Sequence, residues 1–175
     1  MLYLLDANVL ITAHDDYYPI DRIPQFWEWI IDNTKQGHLK MPFEMIAEVK
    51  AGQPKRDAEN QDDELLRWLR INNHEKELQL DASADQVEVN RVFKDGYELP
   101  TPSLDELNKI RKDPLLISYA LGGQRTTIVT LEAKQENATD EMKKHKRKIP
   151  FVCRKLGIRC IDTFDLIREL DFRIT

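Results

Sequence analysis

Thiols are scarce in this chain of 175 residues: Cys153 and Cys160 are the whole supply, and the 4 histidines are scattered. Two cysteines without a partnering histidine cluster make neither a disulfide scaffold nor a zinc knuckle, so both are expected as reduced thiols in a core. Glycine and proline are sparse too, at 6 and 8 residues, which excludes collagen-like and linker-dominated chains. Basic residues are outnumbered, 26 Lys and Arg against 31 Asp and Glu, for a net charge of −5. That excludes a histone-like or ribosomal-type protein, although a local basic patch can still meet nucleic acid. No window reaches the roughly 18–20 apolar residues of a membrane span. The N-terminal string MLYLLDANVLITA is apolar, but Asp6 interrupts it and no basic leader precedes it, so it does not read as a signal peptide. A soluble, cytoplasmic protein with no membrane partner is expected. What remains is ample: 41% hydrophobic residues fill one core, and the length suits a single domain over 1–175.

Short apolar runs alternate with helical patterns along the chain. Leu2 to Leu5 reads as a strand buried on both faces. A loop with Tyr17, Tyr18 and Pro19 follows, then a helix from Pro24 that carries Phe26, Trp27, Trp29, Ile30 and Ile31 and stops at Gly37. His38 to Met41 reads as a second strand, and Pro42 opens a helix that ends near Gly52. Gln53 to Glu64 is polar and acid-rich, a solvated loop leading to a helix with Leu65, Leu66, Trp68 and Leu69. Leu78 to Leu80 suggests a small strand. Ser83 caps a helix ended by Gly96, and 97–102 is a loop. Helices are expected over Ser103 to Arg111 and from Asp113-Pro114 to Gly122-Gly123. Thr126 to Leu131 is a β-branched strand. Pro150 opens a helix closed by Gly157, Ile158 to Ile161 is the last strand, and Thr163 caps a last helix. This alternation predicts an α/β fold with a central, mainly parallel sheet flanked by helices in three layers.

Ligands of open parallel sheets bind beyond the carboxyl ends of the strands. Four carboxylates fall at such places. Asp6 ends the first strand, Glu132 follows the strand TTIVTL, Asp113 stands at the mouth of the helix DPLLISYAL, and Glu48 projects from the short helix PFEMIAEVK. Four acids in one pocket repel one another, and a divalent cation relieves that repulsion. Oxygen-only ligands suit a hard ion, Mg²⁺ or Mn²⁺. Such an ion activates water and neutralises charge on phosphate oxygens, so the implied chemistry is phosphodiester hydrolysis. Asn8 and Thr130 are neutral groups suited to orient the acids.

The blocks LLDANVL, DPLLISYAL and IVTLE, with Glu48 isolated on its helix, resemble those of PIN-domain nucleases. The resemblance runs from Leu2 to about Ile161. It implies a doubly wound fold and an Mg²⁺- or Mn²⁺-dependent ribonuclease site, with Asp6, Glu48 and Asp113 in the positions of the first three acids. Glu132 takes the fourth, where Asp is more usual. By the same match Glu48 is preferred to Glu44, one turn away. Asp6, Asp113 and Glu132 are the expected metal ligands, and Glu48 completes the catalytic set. Many small members of that family are toxins held inactive by an antitoxin protein, and dimers are common among them. This chain is long for that group, with an expected helical insertion around 53–102, and KIPFVCRKLGIRCI resembles the end of a PIN-like branch.

One dense basic block, Lys143, Lys144, His145, Lys146, Arg147 and Lys148, follows the fourth acid. Its five cations are read as a seat for RNA phosphates beside the acids. No aromatic residue interleaves them, so they offer charge rather than base reading. His14, Asp15 and Asp16 read as loop surface, and Trp27, Trp29 and Trp68 as core. Asp113 before Pro114 also suits an ordinary helix N-cap. The leading expectation is a ribonuclease toxin. The alternative is a non-catalytic PIN-like module that binds RNA or scaffolds, with structural acids. A phosphate-accepting signalling domain ranks lower, because no lysine stands on the late strand.

Overall fold

A computed structural model describes residues 1–52, 64–123, 125–132 and 142–174. Its centre is a four-stranded sheet of β1 (Leu2–Leu5), β2 (Leu39–Lys40), β3 (Thr126–Val129) and β4 (Arg159–Ile161), in the order β2-β1-β3-β4. Every pairing is parallel. Parallel strands need crossovers, and the helices supply them, so the chain is α/β. Leu4, Leu5, Ile128 and Val129 are all buried, as strands covered on both faces must be.

The helices are α1 (Ala7–Thr12), α2 (Pro24–Lys35), α3 (Phe43–Ala51), α4 (Glu64–Arg70) and α5 (His74–Leu78). They continue with α6 (Gln86–Arg91), α7 (Leu104–Ile110), α8 (Asp113–Gly122), α9 (Ile149–Leu156) and α10 (Thr163–Glu169). Among the described residues no helix is long and apolar enough to cross a membrane. The expected insertion around 53–102 covers α4, α5 and α6, while the acid-rich 53–63 lies outside the described residues.

Several boundaries differ from the sequence reading for local reasons. α1 starts directly after Asp6, where a loop was expected, because Val9, Leu10 and Ala13 recur at helical spacing and are buried. It runs on into a wide π-helical turn, Ala13–Tyr17, which carries His14 into the interior, 8% exposed and edge-on to Trp27. His14 is therefore not loop surface. Trp27 and Trp68 are core residues, their rings 4.8 Å apart. Leu78 to Leu80 is not a strand but a single parallel bridge, Gln79 to Met41. Asp85 rather than Ser83 caps α6, and Asp162 rather than Thr163 caps α10, each accepting a backbone N–H. A second π-helical turn, Val92–Tyr97, extends α6 against α9. A Cβ on Gly96 would meet Val152 at 2.6 Å, so glycine sets that close approach.

Candidate functional site

The register of β1 and β3 builds the centre of the site. Leu5 pairs with Val129, so Asp6 and Thr130 leave adjacent strands side by side. The Asp6 N–H donates to Val129 O at 2.9 Å, and the Thr130 N–H donates to Ile161 O at 3.1 Å. Thr130 Oγ1 then donates to Asp6 Oδ2 at 2.7 Å and accepts the Glu132 N–H and the Asn8 amide, both at 3.2 Å. One hydroxyl thus makes the three bonds its chemistry allows. Asn8 Nδ2 also donates to Asp6 Oδ2 at 2.6 Å, while its Oδ1 accepts the Leu131 N–H at 3.0 Å. Asn8 and Thr130 orient Asp6, and they tie the turn after β1 to the turn after β3.

The other acids reach the same edge from helices. α8 leads back into β3, so its first turn lies beyond the carboxyl ends of the strands. Asp113 is its first helical residue, after an N-cap position held by Lys112, and no side chain caps this helix. The ordinary N-cap role is therefore not the one Asp113 plays. Its carboxylate accepts no hydrogen bond from a described residue. Burial, then the charges of Glu132, Asp6 and Glu48, push it up to about 8, against a smaller pull from Lys148. Asp6 is pushed up to about 6, mainly by burial and further by Glu132 and Glu48, while its bond from Thr130 holds it down. The two acids are driven apart: Asp6 is bonded and Asp113 is bare. That separation of environments is how one site holds an acid and a base together.

Glu132 and Glu48 are already engaged. Glu132 accepts Lys148 Nζ at 2.9 Å and the Ile149 N–H at 2.8 Å, so it satisfies an open donor at the start of α9. Glu48 pairs with Arg111 at 3.1 Å. Arg111 closes α7 at φ 61° and ψ −128°, a backbone that strains a side-chain-bearing residue by about 1–3 kcal/mol. Glu44 instead accepts a hydrogen bond from Tyr119 on α8, which leaves Glu48 as the α3 acid whose charge Asp6 and Asp113 feel.

The basic block divides. A cleft of about 630 Å³ is lined by Lys109, Asp113, Lys143, His145, Lys146 and Lys148, among others. Lys143, Lys144, Lys146 and Lys148 are exposed, and Lys144 also donates to Glu98 O at 2.8 Å. Arg147 departs from the expected phosphate seat. It is 2% exposed, donates to Gly96 O at 3.1 Å and Tyr97 O at 2.9 Å, and pairs with Glu98 at 3.1 Å. Its guanidinium lies 5.1 Å from the Phe151 ring. A cation spent on buried carbonyls and an aromatic face is a clamp, not a ligand for RNA. Lys109, Arg111 and Tyr97 belong to this neighbourhood without having stood out in the sequence. Each sits at a helix end that carries no motif.

The donor chemistry, carboxylate oxygens at a partly buried edge, suits a hard cation. The placement is less complete. Among the described residues no three His, Cys, Asp or Glu side chains gather closely enough to hold an ion as they stand. The expected nest of Asp6, Asp113 and Glu132 is open because Lys148 and the α9 backbone occupy Glu132.

The fold and this edge define an α/β domain with coupled carboxylates beyond the ends of a parallel sheet, beside a lysine-lined cleft. Residues 3–174 match a family described as a domain of unknown function, DUF4411. The chain belongs to that family. No curated protein and no solved structure matches it.

Proposed function

We propose that this protein is an Mg²⁺- or Mn²⁺-dependent ribonuclease that hydrolyses RNA phosphodiester bonds, and that it acts as the toxin of a toxin–antitoxin pair. The observation that carries the reading is Asp113, which feels the charge of Asp6 and lines a cleft with lysines on its walls. The resemblance of LLDANVL and DPLLISYAL to PIN-domain nucleases supports it, and it supports an antitoxin and a second copy of the chain as partners.

In this reading Asp6, Asp113 and Glu132 would hold the ion, with Glu48 completing the acidic set. When bound, the ion supplies neutralisation of phosphate charge and a more acidic water. The chain's own groups do the rest. Asn8 and Thr130 fix the direction of Asp6. Lys143 and Lys146 attract the RNA backbone by charge, without reading bases. Lys148 already faces a carboxylate, and an arriving phosphate offers it an equivalent anionic partner.

The ion pair that occupies Glu132, with the open nest, favours a second reading: a module that binds RNA without cutting it, its acids structural. One experiment separates the two. Purified protein is incubated with mixed RNA in Mn²⁺ or in chelator, beside folded Asp6→Asn. The nuclease reading expects cleavage only with Mn²⁺ and wild-type protein. RNA retention without cleavage, with Mn²⁺ or with chelator, supports the module.

A further inference from the structure

Another cavity lies under the inserted helices, and its lining is separate from the acidic edge. It measures about 330 Å³ and is framed by α2, α4, α5 and the turn between the last two; none of Asp6, Glu48, Asp113 and Glu132 lines it. Pockets that hold small molecules run from about 300 to 1,000 Å³, so this one suits a compact ligand. Its floor is apolar and fixed. Trp27, Ile31 and Trp68 are buried, the two indole rings stand edge-to-face at 4.8 Å, and the Trp27 indole N–H is spent on Tyr18 O at 2.7 Å. The insertion that carries Trp68 is tied to the edge of the sheet: the Met41 N–H donates to Leu78 O and the Leu80 N–H donates to Met41 O, both at 2.9 Å.

The polar groups of the lining are mostly acceptors. Asn72 and Asn73, left-handed at φ 49° and 59°, turn the chain between α4 and α5, a conformation that asparagine tolerates. The turn brings His74 against Trp68, with ring centroids 5.0 Å apart. His74 Nδ1 lies 2.9 Å from Trp68 O. A carbonyl only accepts, so Nδ1 carries the hydrogen and Nε2 keeps a lone pair. Burial holds this imidazole below its ordinary range, opposed by the Trp68 carbonyl and helped by the charge of Lys35, so the lone pair persists at neutral pH. Glu28 and Asp32, one turn apart on α2, are exposed at the rim. Neither makes a hydrogen bond or ion pair with a described residue. Lys35 brings a single opposing charge to the same lining, so the rim stays negative.

We propose that this cavity binds a small organic cation, an amidinium or guanidinium on an apolar body, whose N–H groups donate to Glu28, Asp32 and His74 Nε2 while the body rests on Trp27 and Trp68. Such a head group is planar and meets a carboxylate through two parallel N–H bonds. Its apolar body matches the indole floor, and its charge matches the rim. The site stands on its own residues and requires nothing of the ribonuclease reading.

The test is heteronuclear NMR titration of the full chain, with benzamidine as the probe and benzamide and benzoate as analogues of the same shape without the positive charge. Benzamidine is expected to shift the Trp27 and Trp68 indole resonances saturably. Hydrogen bonds to charged groups are worth about tenfold or more in affinity, so benzamide is expected to bind about tenfold more weakly and benzoate to leave both indoles unmoved. The combined variant Glu28→Gln, Asp32→Asn is expected to weaken benzamidine about tenfold and to leave benzamide level. Both positions are exposed, so the variant keeps its fold, which thermal unfolding checks. Shifts that do not saturate, or that spare both indoles, overturn the site. Equal affinity for benzamidine and benzamide in the wild type overturns the preference for a cation, and that comparison needs no variant. Undiminished benzamidine affinity in the combined variant overturns the role of the two carboxylates.

Discussion

Asp113→Asn removes a carboxyl that burial and the charges of Glu132, Asp6 and Glu48 push up to about 8. In the unfolded chain the same group titrates near its ordinary value of 3.8. The folded, metal-free protein therefore keeps a proton that the unfolded chain has released. The stability this group contributes is complete below 3.8 and drains away as the pH rises through about 8. Each unit of pH in that window is worth about 1.4 kcal/mol. At pH 7 the ceiling is about 4 kcal/mol. Asp113 is partly solvent-exposed and shares its titration with Asp6, so the expected gap is about 2 kcal/mol. With a urea slope of about 2 kcal/mol per molar, Asp113→Asn unfolds about 1 M later than wild type at pH 7. The assay is urea unfolding in chelator at a series of pH values from about 4 to 8.5, and the two proteins are expected to converge at the acid end. Parallel pH profiles, with no gap opening above pH 5, refute the claim that ionised Asp113 is costly in the fold.

Two further outcomes follow from contacts around the same edge. Arg147→Ala removes the Arg147 donor from the Gly96 and Tyr97 carbonyls and one of the partners of Glu98, which keeps Lys155; a loss of about 3 kcal/mol in urea unfolding is expected, and a change under about 1 kcal/mol contradicts the clamp. Thr130→Val deletes the hydroxyl that joins Asp6, Asn8 and the Glu132 N–H; it is expected to destabilise by about 2 kcal/mol while Thr130→Ser stays within about 1 kcal/mol, and equal losses in the two variants on thermal unfolding contradict the network.

The architecture was legible because its signals are local. Leu2 to Leu5 and Thr126 to Val129 are apolar runs of strand length, and Pro24, Pro150 and Gly157 mark helix ends. α1 escaped because MLYLLDANVLITA is apolar throughout, so the switch of period after Asp6 is masked by the strand before it. The four acids were nameable from their places at strand and helix ends. Their states were not. Arg147 and Lys148 are neighbours in a single run of cations, yet one is buried under Gly96 and Tyr97 and the other faces Glu132. Charge and spacing are alike for both, and only the packing of the Val92–Tyr97 turn on α9 separates them.

Sequence alone determined the parallel α/β alternation and the helices that open at Pro24, Pro114 and Pro150, because backbone periodicity and proline starts act over a few residues. It also determined that carboxylates stand where strands stop. Tertiary structure decided which of them is bonded, which is paired and which is bare. The register of β1 on β3 sets Thr130 beside Asp6 across 124 positions, and among the described residues no such donor reaches Asp113. Contacts between distant segments depend on how sheet and helices are stacked, and the acidity of a buried carboxyl depends on those contacts.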